Sequence, residues 1–412
     1  MKRKIVLIGI LQALIFSTAY SQSWMLQLHV PEVEFNEINF VDANTGWAFG
    51  DSSFAGTFIT GVVLKTNNHG TTWIQQNFGS PDYRIFASSI LNLNEIFAAG
   101  RDASGSGNTG LFVKSGDGGI TWSGSTNFNE RLFEVCFINS LTGWVMGKNG
   151  LLSKTIDGGN TWSSPINLTN EDIFDMKFFN STTGIMSCGN GELYRTIDGG
   201  NSWNPVSSSS NEDLTAISIN GGVDAKVCGT GGDIINSNNS GSTWTSQVSG
   251  TTADLEDISF YNSTDGFTAG IIGQMRNTVT GGNTWNNFSS NCSYDITALS
   301  MINSSSGWFC TSNGDIYSYM NATGINSTDV LQVDFNVVPN PGVDYVEIKI
   351  SHSLQNISEI NVRDANGRIV INHLIVENDR NIPLNISLLS RGVYCIELRN
   401  KETIAIQKLI KF

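Results

Sequence analysis

Basic charge is scarce in this chain: 23 Lys and Arg stand against 37 Asp and Glu, leaving a formal charge of −14 and a pI near 4.7. An acidic surface without Lys/Arg clusters does not grip a phosphate backbone, so no nucleic acid partner is expected. The six cysteines (Cys136, Cys188, Cys228, Cys292, Cys310 and Cys395) lie far apart, with no C-x-x-C and no accompanying His spacing. That argues against a zinc site or a dense disulfide framework and for buried free thiols. No apolar run exceeds the one from Ile5 to Phe16, which is too short to cross a bilayer, so no transmembrane segment is expected in the mature chain. HExxH, P-loop, GxSxG and EF-hand patterns are all missing, and neither a metal nor a cofactor is expected.

What is present begins with a secretory signal. Lys2, Arg3 and Lys4 precede the apolar run, and small residues follow around Ala19 and Ser21, so residues 1–21 read as a signal peptide cleaved before Gln22. With 40% hydrophobic residues the rest can bury a large core, and its length suggests two domains.

The dominant feature is an eight-residue motif ending in tryptophan: TNNHGTTW (Thr66 to Trp73), SGDGGITW (to Trp122), TIDGGNTW (to Trp162), TIDGGNSW (to Trp203), SNNSGSTW (to Trp244) and TVTGGNTW (to Trp285). From Trp122 to Trp285 the tryptophans are 40, 41, 41 and 41 residues apart, the length of a four-stranded propeller blade. About eleven residues past each tryptophan comes a run of period two, such as Ile173 to Phe179, which reads as an inner strand. A short Gly-Trp strand (Gly46 to Gly50, Gly143 to Gly147, Gly307 to Cys310) and a third strand then lead back into the motif. Inner strands start at Phe35, Ile85, Leu132, Ile173, Leu214, Leu255 and Ile296, giving seven blades over residues 22–320. The seventh never reaches a Thr-Trp, whereas Ser23-Trp24 stands eleven residues before Phe35, as Trp162 does before Ile173. The amino-terminal strand is therefore expected to complete that blade and close the ring, which removes an exposed edge.

The motif resembles the Asp-box, S-x-D-x-G-x-T-W, of BNR-repeat propellers, a group that includes sialidases, sortilin-like receptors, xyloglucanase-type hydrolases and photosystem II assembly factors. The unit length and Gly-Trp second strand look most like the assembly-factor group. Asp117, Asp157 and Asp198 match the motif's acid, while Asn68, Asn239 and Thr280 depart from it. The implied roles are structural. The acid accepts N–H groups of its own turn, glycine takes positive φ, and Trp73, Trp122, Trp162, Trp203, Trp244 and Trp285 cap the packing.

Beyond a polar connector at 321–332 the period disappears and a second β pattern occupies 333–412. It opens with Pro339-Asn340-Pro341, has a hairpin signal at Asn366-Gly367 within Asp364-Ala-Asn-Gly-Arg368, and continues through Gly392-Val-Tyr394 to a basic apolar tail ending at Phe412. This is similar to a type A sorting domain of the type IX secretion system. The resemblance implies a small β-sandwich, the secretion machinery as a partner, and delivery across the outer membrane of a Gram-negative bacterium to the surface or beyond. The expected fold is thus all-β: a seven-bladed propeller followed by a small sandwich.

For function, the third residue of each inner strand reads Glu37, Ala87, Glu134, Asp175, Ala216, Asp257 and Ala298, so four acids share one column. Strand alternation places them near the mouth of the central channel, on the face opposite the Asp-boxes. The interval from Trp73 to Trp122 is 49 residues, the surplus falling at 101–108, and blade one carries a similar excess at 51–61. Long loops on a rigid scaffold commonly carry binding. Arg101, Asp102, Phe54 and Phe58 are therefore expected to form one wall beside Glu37 and Glu134. The sialidase signature fails, since Tyr83-Arg84-Ile85-Phe86 lacks the proline of R-I-P, and no catalytic residue is assigned. The reading is an exported module that binds an extracellular protein or glycan. The alternatives are a glycoside hydrolase using two of the column acids and an assembly-factor-like role for a membrane protein complex.

Overall fold

In the computed structural model, described residues are 6–8, 23–54, 58–78, 83–102, 109–124, 128–220 and 222–320, then 335–338, 342–350, 359–363, 369–374, 381–390, 392–399 and 404–411. The signal-peptide reading falls mostly outside them, as do the connector at 321–332 and the turn at 364–368. The chain divides into two compact units, Met1–Gly324 and Ile325–Phe412. Among the described residues no helix is long and apolar enough to cross a membrane.

The first unit holds seven antiparallel sheets among the described residues. Sheets three to six each follow one plan, as in Ile173–Phe178, Gly184–Cys188, Leu193–Thr196 and Asn204–Val206, paired in chain order. Sheet one runs through Val33–Phe40, Gly46–Phe54, Phe58–Thr66 and Thr72–Gln75, with Val6–Ile8 on its outer edge. Sheet two has three strands, Tyr83–Ile90, Ile96–Asp102 and Gly110–Ser115. Of the expected fourth, the described residues show isolated bridges at Ser123 and Phe128. In the last sheet Ile296–Asn303, Ser306–Thr311 and Asp315–Met320 are joined by Ser23–His29, which pairs antiparallel with Asp315–Met320. Trp24 there is 1% exposed and packs against Phe267, Phe309 and Tyr319.

The inner strands share a device that the alternating pattern does not announce. In all seven the ladder shifts by one residue between the first and third positions, as at Leu132/Glu134 and Ile173/Asp175. A β-bulge of this kind turns the second side chain and re-aims the third. In five of the seven the residue opposite the first position is a glycine, which gives room for it, whereas sheets four and seven place Cys188 and Thr311 there. A Cβ on Gly100 would lie 1.8 Å from the Arg84 carbonyl oxygen, and one on Gly147 2.2 Å from that of Arg131.

Between sheets, the second-strand aromatic of one lies on the inner-strand aromatic of the next. Trp308 stacks on Phe40 with ring centroids 3.5 Å apart, and Phe97 stacks on Phe137 at 3.6 Å. Each fully buried side chain of this size is worth about 2–3 kcal/mol by the area relation.

The Asp-box turns carry the geometry that their residue types demand. Asp157 accepts the Thr161 N–H at 2.8 Å, its hydroxyl at 2.6 Å and the Thr155 hydroxyl at 2.8 Å, and these bonds pull its pKa down to about 2. Asn68 and Asn239 accept the corresponding N–H groups of Thr72 and Thr243, so the departures preserve the turn. Trp122 and Trp244 donate their indole N–H to the turn carbonyls of Gly119 and Gly241.

In the second unit, Phe335–Val338, Tyr345–Ile350 and Asn381–Asn385 make one sheet. Glu359–Arg363, Ile369–Leu374, Gly392–Arg399 and Ile404–Lys411 make another. Val346, Ile348, Ile382 and Leu384 of the first meet Ile360, Val362, Ile396 and Leu398 of the second in one core. Tyr394 anchors its own strand by donating to the Ser390 carbonyl at 2.8 Å.

Candidate functional site

The seven inner strands line a cavity of about 970 Å³ in the first unit. Their innermost edges have no further strand to pair with, so the N–H and C=O groups there need other partners. Side chains of the preceding sheet supply many of them. Ser89, Ser218, Ser259 and Ser300, at the fifth position, accept the N–H of Phe137, Phe260, Met301 and Phe40 in the next sheet at 3.0–3.1 Å. At the second position Asn36, Thr215 and Thr297 donate to the carbonyls of Ile85, Leu255 and Phe35 at 2.6–2.8 Å.

All four column acids line this cavity, yet they divide into two pairs. Asp175 accepts the N–H groups of Met176 at 2.6 Å and of Ile217, in the next sheet, at 2.7 Å. Asp257 likewise accepts from Ile258 and from Leu299 of the next sheet. These two aspartates are ties between sheets. Glu37 and Glu134 make no such tie among the described residues: Glu37 accepts from Asn39 of its own strand at 2.5 Å, and Glu134 from its neighbour Val135 at 3.0 Å.

Both glutamates are part-buried and line the cavity. Burial, and after it the nearby Glu134 and Asp257 carboxylates, raise the Glu37 pKa well above the usual value. Burial, opposed by Lys177, lifts Glu134 to about 8. Asp257 rises less, to about 6, because its backbone donors favour the ionised form. Lys177 was not anticipated. Its Nζ lies 2.7 Å from Asp175, and although burial works against its charge, Asp175 and Glu134 hold the ammonium well above its ordinary range.

A second feature missed from sequence is aromatic. In sheets two to four the second position holds Phe86, Phe133 and Phe174 instead of a hydrogen-bonding residue, and all three line the cavity. Their centroids follow at 6.3 and 6.0 Å, and Arg131 lies over Phe133 at 5.1 Å. Aligning the inner strands at the second and fifth positions, as at the third, reveals both features.

The surplus in sheet one is not a loop. Its second and third strands continue as a hairpin whose last backbone pair is Phe54 with Phe58; alternation of backbone pairing extends the sheet instead of leaving it. Those two side chains lie outside the described residues, as do residues 103–108. Arg101 and Asp102 end the second strand of sheet two, Arg101 opposite Arg84 and Asp102 opposite Tyr83.

Residues 336–411 match the family model described as a secretion system C-terminal sorting domain. The chain carries a type IX sorting domain. It is accordingly exported to the cell surface or extracellular space of a Gram-negative bacterium of Bacteroidetes type. No curated protein matches the chain. Among solved structures it is similar to YCF48 bound to D1 peptide, at 16% identity and a TM-score of 0.59, over 74% of this chain and 99% of that one. YCF48 from Cyanidioschyzon merolae is similar at 18% identity and a TM-score of 0.56, over 72% and 98%. PorZ, a surface component of the type-IX secretion system of Porphyromonas gingivalis, aligns at 14% identity and a TM-score of 0.51, over 92% of this chain and 59% of that one. At these identities the likeness establishes the fold, a β-propeller.

Proposed function

We propose that residues 22–320 form a seven-bladed propeller closed by the amino-terminal strand, joined through 321–332 to a sorting domain at 333–412. We further propose that the exported propeller binds an extracellular protein or glycan at the channel mouth opposite the Asp-boxes. One observation carries the binding reading. In sheets one to four, Glu37, Phe86, Phe133, Glu134 and Phe174 line the cavity at positions that elsewhere tie neighbouring sheets together, and none of them makes such a tie among the described residues. Binding is favoured over glycoside hydrolysis because a hydrolase needs one carboxyl kept protonated and another kept ionised. Here two of the four column acids, Asp175 and Asp257, engage both carboxylate oxygens with backbone N–H groups, and burial raises both of the others, Glu37 and Glu134.

The test uses the mature full chain. Deleting 103–108 and trimming the hairpin tip at 53–59 should weaken capture of partners from the native cell surface at least tenfold while leaving the melting temperature within about a degree. Unchanged capture would move the site away from this mouth. Turnover of a glycan that disappears in Glu134→Gln would replace the binding reading with the enzymatic one.

A further inference from the structure

The residue just before each inner strand forms another column at the mouth, and its pattern points to a ligand chemistry. In sheets four to seven the column holds aspartates: Asp172, Asp213, Asp254 and Asp295. Each accepts an N–H from the preceding sheet's tight turn, from Asn149, Asn190, Gly231 and Ile272 respectively, at 2.8–2.9 Å. Those turns join second to third strands. In sheets one and two the second and third strands instead pair as far as Phe54 with Phe58 and Arg101 with Gly110, and no such tight turn joins them among the described residues. At the two places that would have received its N–H, the column holds Arg84 and Arg131.

The exchange is more than the loss of a tie. Arg101 is the direct cross-strand partner of Arg84, and like charges in that relation repel. Burial disfavours the Arg101 charge, and the nearby Arg84 and Arg131 add to this. The Nε atoms of all three are buried and make no hydrogen bond. Asp51 lies 3.4 Å from Arg84 Nε, an ion pair without hydrogen-bond geometry. Among the described residues Arg101 and Arg131 have no ion-pair partner. Asp51 favours the charge of Arg101 as well, and Glu34 lies near Arg84, so two carboxylates stand against three guanidiniums, whose planar N–H forks suit one further carboxylate.

We propose that Arg84, Arg101 and Arg131 form an anion site for a carboxylate borne on an apolar or aromatic group. This deepens the mouth-binding reading and rests on it. A carboxylate is preferred over a dianion because the rest of the rim is acidic, and Coulomb repulsion grows with ligand charge. The apolar flank follows from Phe133, which lies beneath Arg131, and from Phe86 beside it.

Titrating the mature full chain with phenylacetate, phenylacetamide, glucuronate and inorganic phosphate tests the site. Phenylacetate should bind, and Arg101→Met should weaken it at least tenfold while the melting temperature holds or rises, since a repelling charge has been removed. Arg276→Gln, in sheet six and outside the arginine cluster, should change nothing. Equal binding of phenylacetamide, or unchanged binding in Arg101→Met, would overturn the carboxylate assignment. Tighter binding of glucuronate would overturn the apolar flank, and tighter phosphate the single charge. If every probe fails while partner capture still depends on the trimmed loops, the carboxylate proposal falls and the mouth reading stands.

Discussion

Asp257 and Glu134 occupy the same register position and burial raises both carboxyls, but only Asp257 ties its sheet to the next. Asp257 accepts Ile258 through one carboxylate oxygen and Leu299 through the other, and replacing it with Asn turns one of these acceptors into a donor, so the variant should lose about 1–3 kcal/mol, the usual penalty for stranding one such N–H. Replacing Glu134 with Gln should do the reverse under alkaline conditions. A carboxyl raised to about 8 in the fold but titrating near 4.5 when unfolded binds more protons folded than unfolded between those values. Its contribution therefore falls as pH rises through that window. Melting temperatures at pH 5 and pH 9 should lie closer together in Glu134→Gln than in the parent. A wider gap would mean that the Glu134 carboxylate is stabilised in the fold. The Asp-box acids behave with the other sign: Asp117 and Asp157, held near 2, support the fold above their unfolded pKa and lose that support as pH falls toward 2.

At the level of strands and sheets, Ser23–His29 is the element with most at stake. Trp24→Ala should cost about 3–5 kcal/mol, as expected for an aromatic removed from a site 1% exposed. An unchanged melting temperature would show that the last sheet does not depend on it. Much of this architecture is legible in the chain because each Asp-box needs its glycines and tryptophan at fixed offsets, so the motif works as a ruler. The acid column was readable for the same reason: strand period two carries Glu37, Glu134, Asp175 and Asp257 to one side. Which of them are engaged was not readable, because the deciding donors, Ile217 and Leu299, lie 42 residues further on. The hairpin of sheet one was misread as a loop because Gly, Ser and Thr at 52–61 suit either state, and only backbone pairing distinguishes them.

On the scale of the whole molecule, the sorting domain dictates destination and the first unit dictates purpose, each with its own core. Removing 333–412 should leave a folded first unit that accumulates in the periplasm, measured by fractionation and protease resistance. Normal amounts in the medium would contradict the role of the tail. A last consequence concerns timing. His29 bonds Asp315 across 286 residues of chain, so Ser23–His29, early in the first unit, must wait for one of its latest strands. Until Asp315–Met320 is available, Trp24 and the rim of Ser23–His29 stay exposed and prone to mispairing. Such distant pairing is slow to form. A chain truncated short of residue 315 would keep this strand without its mate.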